Sequence, residues 1–164
     1  MTNPMSLEGR NILVTGAGQG IGKATAELAV ELGAKVALVD VNGDTLGAVA
    51  DALGDNAKAY VGSVAEPGFV QGMVADVVRD FGAVHGLMNN AGIVRAAMIH
   101  KMPVETWQQV IDVNLTGVFL CLQEVGRHYM ERAKDGDEAP GAIVNVSSIA
   151  GRRGTIGQIN YGAA

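Results

Sequence analysis

The chain has 164 residues, 48% apolar and 18% charged, a size suited to one domain that buries roughly 70% of its unfolded surface. Its net charge of −5 comes without a basic cluster, which argues against a nucleic-acid partner, and no apolar run reaches the ~20 residues of a membrane helix. A single cysteine, Cys121, excludes an internal disulfide framework, and Met1 to Arg10 lack the apolar stretch of a secretory signal, so the expected setting is reducing and cytoplasmic.

Short β-branched runs alternate with helix-period segments. Asn11–Thr15 reads as a buried strand. Gly20 to Leu32 carries Ile21, Ala24, Leu28 and Leu32 on one apolar face, which predicts a helix closed by Gly33. Lys35–Asp40 is the second strand, and Asp44–Leu53 the second helix, with Gly54 after it. Ala57–Val61 is the third strand. Pro67–Phe81 is the third helix, with Pro67 in its first turn and Gly82 beyond its end. Val84–Asn89 is the fourth strand, followed by a loop from Gly92 to Pro103. One long helix is predicted from about Val104 to Ala133, although Asn114 and Gly117 interrupt good helix formers there. Lys134–Pro140 is charged and loop-like, Ala142–Ser147 is the fifth strand, and Gly151–Gln158 is a glycine-rich loop leading to Tyr161. Strand–helix repeats of this length predict βαβ units in a doubly wound α/β sheet.

Thr15 to Gly22 reads Thr-Gly-Ala-Gly-Gln-Gly-Ile-Gly, placed where a strand ends and a helix begins, the context a dinucleotide turn requires. Gly16 takes a positive φ cheaply. Gly20 leaves no side chain before a pyrophosphate, and Gly22 allows close helix–sheet packing. The helix N-terminus offers free N–H groups and partial positive charge. Thr15 would brace the turn through its hydroxyl. A P-loop fails, because Lys23 is followed by Ala24. A methyltransferase glycine loop and a plain strand–helix turn remain compatible with the glycines alone. Asp40 ends the second strand 18 residues after Gly22, near the ~20 expected of an acid that accepts from a ribose 2′-hydroxyl. Val41-Asn42 follows it with no cation, so NAD(H) is expected over NADP(H).

Four further elements carry a resemblance: Asn89-Asn-Ala-Gly92, Val110-Ile-Asp-Val-Asn114-Leu-Thr-Gly-Val-Phe119, Gly141-Ala-Ile-Val-Asn-Val-Ser-Ser148, and Tyr161 thirteen residues after Ser148. In this order, from about Leu7 to Ala164, the chain resembles the short-chain dehydrogenase/reductase family. The likeness is to the shorter branch that includes 3-oxoacyl-carrier-protein reductases and sugar or steroid alcohol dehydrogenases. The resemblance implies a Rossmann-like sheet of about five strands in the order 3-2-1-4-5. It implies NAD-binding residues Thr15, Gly16, Gln19, Gly20, Ile21, Gly22, Asp40, Ser63, Val64, Asn90, Ala91 and Gly92, and catalytic Asn114, Ser148 and Tyr161. Ser63-Val64 stands where the family usually has Asp-Val against the adenine. His85 reads as a surface histidine rather than a metal ligand, no metal being expected, and Cys121 as a small buried hydrophobe. Trp107 and Met102 read as packing residues.

By resemblance, hydride moves between the nicotinamide and a small-molecule carbonyl or alcohol, and the full-length form is a homo-oligomer. Tyr161 is the acid or base, Ser148 bonds the substrate oxygen, and Asn114 holds its helix open around a water. The family's tyrosine opens a Tyr-x-x-x-Lys motif, and this sequence stops at Ala164, one residue short of the lysine. A free phenol titrates near 10, so its base form is scarce at pH 7 unless a cation stands by. The expectation is therefore an inactive fragment of one NAD-binding domain, 1–164, with the last helix and strands missing and the fifth strand left as a bare sheet edge. The alternatives are a non-catalytic NAD-binding or interaction module and a structural partner lending its fourth helix to an oligomer.

Overall fold

Parallel strands buried on both faces need continuous apolar runs, and Asn11–Thr15 and Lys35–Asp40 supply them inside a five-stranded sheet. The computed structural model describes residues 3–139 and 141–164. Met1 and Thr2, at the start of the segment read as lacking a signal, and Pro140, the end of the expected charged loop, lie outside the described residues. In chain order the elements are β1 (Asn11–Thr15), α1 (Gly20–Glu31), β2 (Lys35–Asp40), α2 (Gly43–Leu53), β3 (Ala57–Val61), α3 (Pro67–Phe81) and β4 (Gly86–Asn89). Then come α4 (Val104–Ile111), α5 (Gly117–Lys134), β5 (Ala142–Asn145), α6 (Ile149–Arg153) and α7 (Ile159–Ala163). The sheet order is β3-β2-β1-β4-β5, with every neighbouring pair parallel, as expected.

Alternate residues of each strand feed opposite layers. Leu13, Ala37, Val39 and Leu87 pack against Val70, Met73 and Val77 of α3 and Cys121 and Val125 of α5. Val14, Val36 and Leu38 pack against Ala26 and Ala29 of α1 and Leu46 and Val49 of α2. The strand order reverses between β1 and β4, so their carboxyl ends splay apart and open a crevice. At the far side of the sheet, all four residues of β5 are exposed, the bare edge expected from its position.

Several expectations are corrected. The face of α1 read from Ile21, Ala24 and Leu28 is its outer face: Ile21 is 64% and Leu28 52% exposed. Gly22, Ala26 and Ala29 are buried instead. The helix must come within backbone distance of β1, so only small residues fit underneath. β4 begins at Gly86 rather than Val84, and β5 ends at Asn145 rather than Ser147. The long helix is interrupted by a π-helical stretch, Asp112–Thr116, between α4 and α5. The expected loop over Gly151–Gln158 begins inside α6, and α7 starts at Ile159, two residues before Tyr161. His85 is half-buried rather than a surface residue: its Nδ1 accepts the Asn11 N–H at 3.0 Å, joining the starts of β1 and β4. Burial, with Arg132 and Arg10 nearby, lowers its pKa below the ordinary histidine value. Cys121 is fully buried, and burial pushes its thiol up to about 12.

Candidate active site

The turn after β1 is shaped by three glycines with different tasks. Gly16 has φ +65°, and a Cβ there would lie 2.9 Å from the Ala91 Cα. A Cβ on Gly22 would lie 2.2 Å from the Gly16 carbonyl oxygen. Gly20 has φ +56° and nothing within 4 Å of where a Cβ would point. Two glycines thus hold the turn against its neighbours, and the third leaves open space at the N-terminus of α1.

That space belongs to a cleft of about 390 Å³ along the carboxyl ends of β1 to β4. Gly16, Gln19, Gly20, Ile21, Asp40, Ser63, Val64, Asn90, Ala91 and Gly92 line it, as does Ile93. Thr15 and Gly22 stand behind the wall. Thr15 is buried, and its Oγ1 accepts the N–H groups of Asn90 and Ala91, each at 3.0 Å. The Asn90 amide in turn donates to the carbonyls of Thr15 and Gly16, at 3.1 and 3.2 Å. Thr15 and Asn90 therefore clamp the end of β1 to the end of β4 and set the width of the crevice. Asp40 accepts the Gly18 N–H at Oδ2 and the Asn42 N–H at Oδ1, both at 3.0 Å. These bonds aim its carboxylate and leave each oxygen a further lone pair.

A second cavity, of about 260 Å³, brings Asn114, Ser148 and Tyr161 to one wall set. It shares Asn90, Ala91 and Gly92 with the cleft, so the two spaces meet at the end of β4. Asn114 lies in the π stretch, where one widened turn redirects its side chain. Its Oδ1 accepts the Ile93 N–H at 2.9 Å, and its Nδ2 donates to the Ile93 carbonyl at 3.1 Å. Ser148 is the N-cap of α6, its Oγ accepting the Ala150 N–H at 3.2 Å. Ser147 lines the same cavity. α6 abuts α7, since a Cβ on Gly162 would sit 3.3 Å from the Ala150 carbonyl oxygen. The helices carrying Ser148 and Tyr161 are thereby held together. Among the described residues, neither Lys nor Arg lines this cavity, and no cluster suited to a metal ion occurs.

Sequence reasoning missed four contributors. Gly18 has no room for a side chain, with Thr45 Oγ1 2.7 Å from where its Cβ would be. Asn89 Nδ2 donates to Asn145 Oδ1 at 2.9 Å and joins the ends of β4 and β5. Ile93 is the backbone partner of Asn114. Asn160 is 0% exposed beside Tyr161. An Asn next to the tyrosine carries no periodic signal. Gly18 could have been found as the one unassigned glycine of the turn.

The sequence model described as short chain dehydrogenase matches residues 10–164. The chain belongs to the short-chain dehydrogenase family. Among members of that family, the 3-oxoacyl-(acyl-carrier-protein) reductase of Vibrio cholerae is 40% identical over 160 residues, 98% of this chain and 63% of that protein. A solved 3-ketoacyl-(acyl-carrier-protein) reductase from Brucella melitensis, complexed with NADH, superposes with a TM-score of 0.90 at 33% identity. That match covers 96% of this chain and 64% of the reductase. An NAD+-bound xylitol dehydrogenase superposes at 0.87 with 36% identity, over 95% of this chain and 59% of its own. The chain thus spans a little under two thirds of the length of these relatives.

Proposed function

We propose that this chain forms the cofactor side of an oxidoreductase that moves hydride between NAD(H) and a small-molecule carbonyl or secondary alcohol. One observation carries the reading: Asn114, Ser148 and Tyr161 line a cavity that opens into the glycine-turn cleft along Asn90–Gly92. The residues present fit a nicotinamide dinucleotide. Gly20 leaves room for diphosphate at the N-terminus of α1, Asp40 offers acceptor oxygens for a ribose diol, and Ser63 and Val64 flank the adenine end. When bound, the dinucleotide supplies the hydride acceptor or donor.

The chain's own residues supply the rest. Ser148 Oγ would hydrogen-bond the substrate oxygen, and Tyr161 Oη would give it a proton in reduction or take one in oxidation. Asn114 holds Ile93 by both of its backbone groups and so keeps the wall between the two cavities in place. The apolar remainder of a substrate would lie in the adjoining groove of about 570 Å³, lined by Met98, Ile99, Ile156 and Ile159 and meeting the site at Gly151. The Asp40 carboxylate would repel a 2′-phosphate, which favours NAD(H) over NADP(H). The NADH and NAD+ held by the two solved relatives agree with that choice. Assembly of the whole protein as a homo-oligomer stays part of the proposal, with Phe119 exposed on α5 as a candidate contact. The buried thiol of Cys121 suits a reducing, cytoplasmic setting.

A phenol needs a neighbouring cation to act as a base near neutral pH. Because, among the described residues, neither Lys nor Arg lines the Tyr161 cavity, we assign cofactor binding, not turnover, to these 164 residues. The test is a titration with NAD+ alongside an assay for NADH release from secondary alcohols. Saturation without release supports the reading; release at ordinary dehydrogenase rates overturns the second half. In any longer chain with turnover, Tyr161→Phe should lower kcat about 10²–10⁴-fold and leave NAD+ affinity intact.

A further inference from the structure

Tyr161 lies in the first turn of α7, where backbone N–H groups have no partner within the helix. The N-cap of α7, Gln158, makes no side-chain cap bond, so the first N–H groups of the helix need other partners. The Tyr161 N–H is one of these, and it donates to Asn160 Oδ1 at 2.9 Å. Asn160 Nδ2 donates to the Arg95 carbonyl at 2.9 Å and to the Thr106 carbonyl at 3.3 Å. The side chain is 0% exposed, and the amide engages its acceptor and both of its donor hydrogens.

We infer that Asn160 is a positioning residue for Tyr161: its buried amide fixes α7 to the loop after β4 and to α4. The consequence reaches Asn114, which grips the same loop two residues earlier, at Ile93. Residues 93–95 are therefore a common strut from which Asn114 and Tyr161 are both held. A second tie, from the Ala97 N–H to the Gly157 carbonyl at 2.9 Å, keeps the approach to α7 on the same loop. The inference rests on the proposed function for what Tyr161 does, and on these hydrogen bonds alone for what holds it.

The test reads Tyr161 directly and uses no turnover. Protein labelled with ¹³C at tyrosine Cζ gives three resonances, from Tyr60, Tyr129 and Tyr161, assigned by a Tyr161→Phe control. In Asn160→Leu the Tyr161 resonance should shift or broaden, Tyr60 and Tyr129 should stay, and NAD+ affinity should be retained. Exchange of the Tyr161 amide should rise roughly tenfold or more once its acceptor is gone. Asn160→Asp keeps the acceptor but sets a carboxylate against two carbonyls. Its Tyr161 resonance should be displaced near about pH 8 and return toward the wild-type position by about pH 5, as the acid takes a proton and regains a donor. A Tyr161 resonance at the wild-type position in folded Asn160→Leu overturns the inference. If that variant unfolds, Asn160→Asp decides, and a resonance unmoved across the pH range overturns it. Failure to bind NAD+ would strike the proposed function and leave this readout standing.

Discussion

Alanine at Gly22 and alanine at Gly20 should fail in opposite ways, although the two lie in one turn. At Gly22 the new Cβ would sit 2.2 Å from the Gly16 carbonyl oxygen and 2.7 Å from Asn90 Nδ2. Carbon contacts relax only beyond about 3.5 Å, so α1 must withdraw by roughly 1 Å from the end of β1. That motion loosens Ala26 and Ala29 against Val14 and Leu38 and strains the Asn90 clamp. The cost sits at the upper end of the overpacking range, about 3 kcal/mol. At ~2–4 °C per kcal/mol for a chain of this size, Tm should fall by about 6–12 °C. At Gly20 the Cβ meets open space and only the positive φ resists it, for about 1 kcal/mol and ~2–4 °C. Its methyl group, however, enters the space assigned to diphosphate, so NADH affinity should drop at least ~10-fold. Thermal unfolding followed by ellipticity, paired with NADH fluorescence titration, separates the two effects. A Gly22→Ala protein with wild-type Tm, or a Gly20→Ala protein with wild-type NADH affinity, would refute the reasoning.

Asp40→Ala removes the negative charge and frees the Gly18 and Asn42 N–H groups, so the preference for NAD+ over NADP+ should fall by about tenfold or more; equal ratios of Kd before and after would contradict this. His85 and His128 both titrate below the ordinary histidine value of 6.5, chiefly through burial. The unfolded chain thus takes up their protons first, and their stabilisation, complete above about pH 6.5, is lost as pH falls through the folded values. Urea midpoints measured from about pH 8 to pH 5 should decline, and a flat profile would count against buried neutral imidazoles. Cys121, with its thiol pushed up to about 12, should react with a maleimide only as the chain unfolds; rapid labelling of the native protein would contradict its burial in α5.

The sheet was legible because buried parallel strands write themselves as short β-branched runs, as in Lys35–Asp40 and Asn11–Thr15. That the glycine turn and Asp40 share one cleft was legible because both stand at the carboxyl ends of adjacent parallel strands. What escaped reading depends on distances between segments far apart in sequence. The buried face of α1 is lined by Gly22, Ala26 and Ala29 because the helix touches backbone, and apolar periodicity counts large residues instead. The π stretch at Asn114 looked like an interruption of a good helix, yet it turns the amide onto Ile93. Gly117 follows for a tertiary reason: a Cβ there would lie 2.7 Å from a Val64 methyl group. His85 and Asn160 carry no pattern at all. Each is fixed by partners from remote segments, Asn11 in one case and Arg95 and Thr106 in the other.

The central claim is that the crevice between β1 and β4 holds a nicotinamide dinucleotide by the glycine turn and Asp40. Calorimetric titration of the 164-residue chain with NAD+ tests it most directly. The account predicts saturable binding of one NAD+ per chain, with NADP+ weaker. Absence of saturable binding by the folded chain, or tighter binding of NADP+, would contradict it.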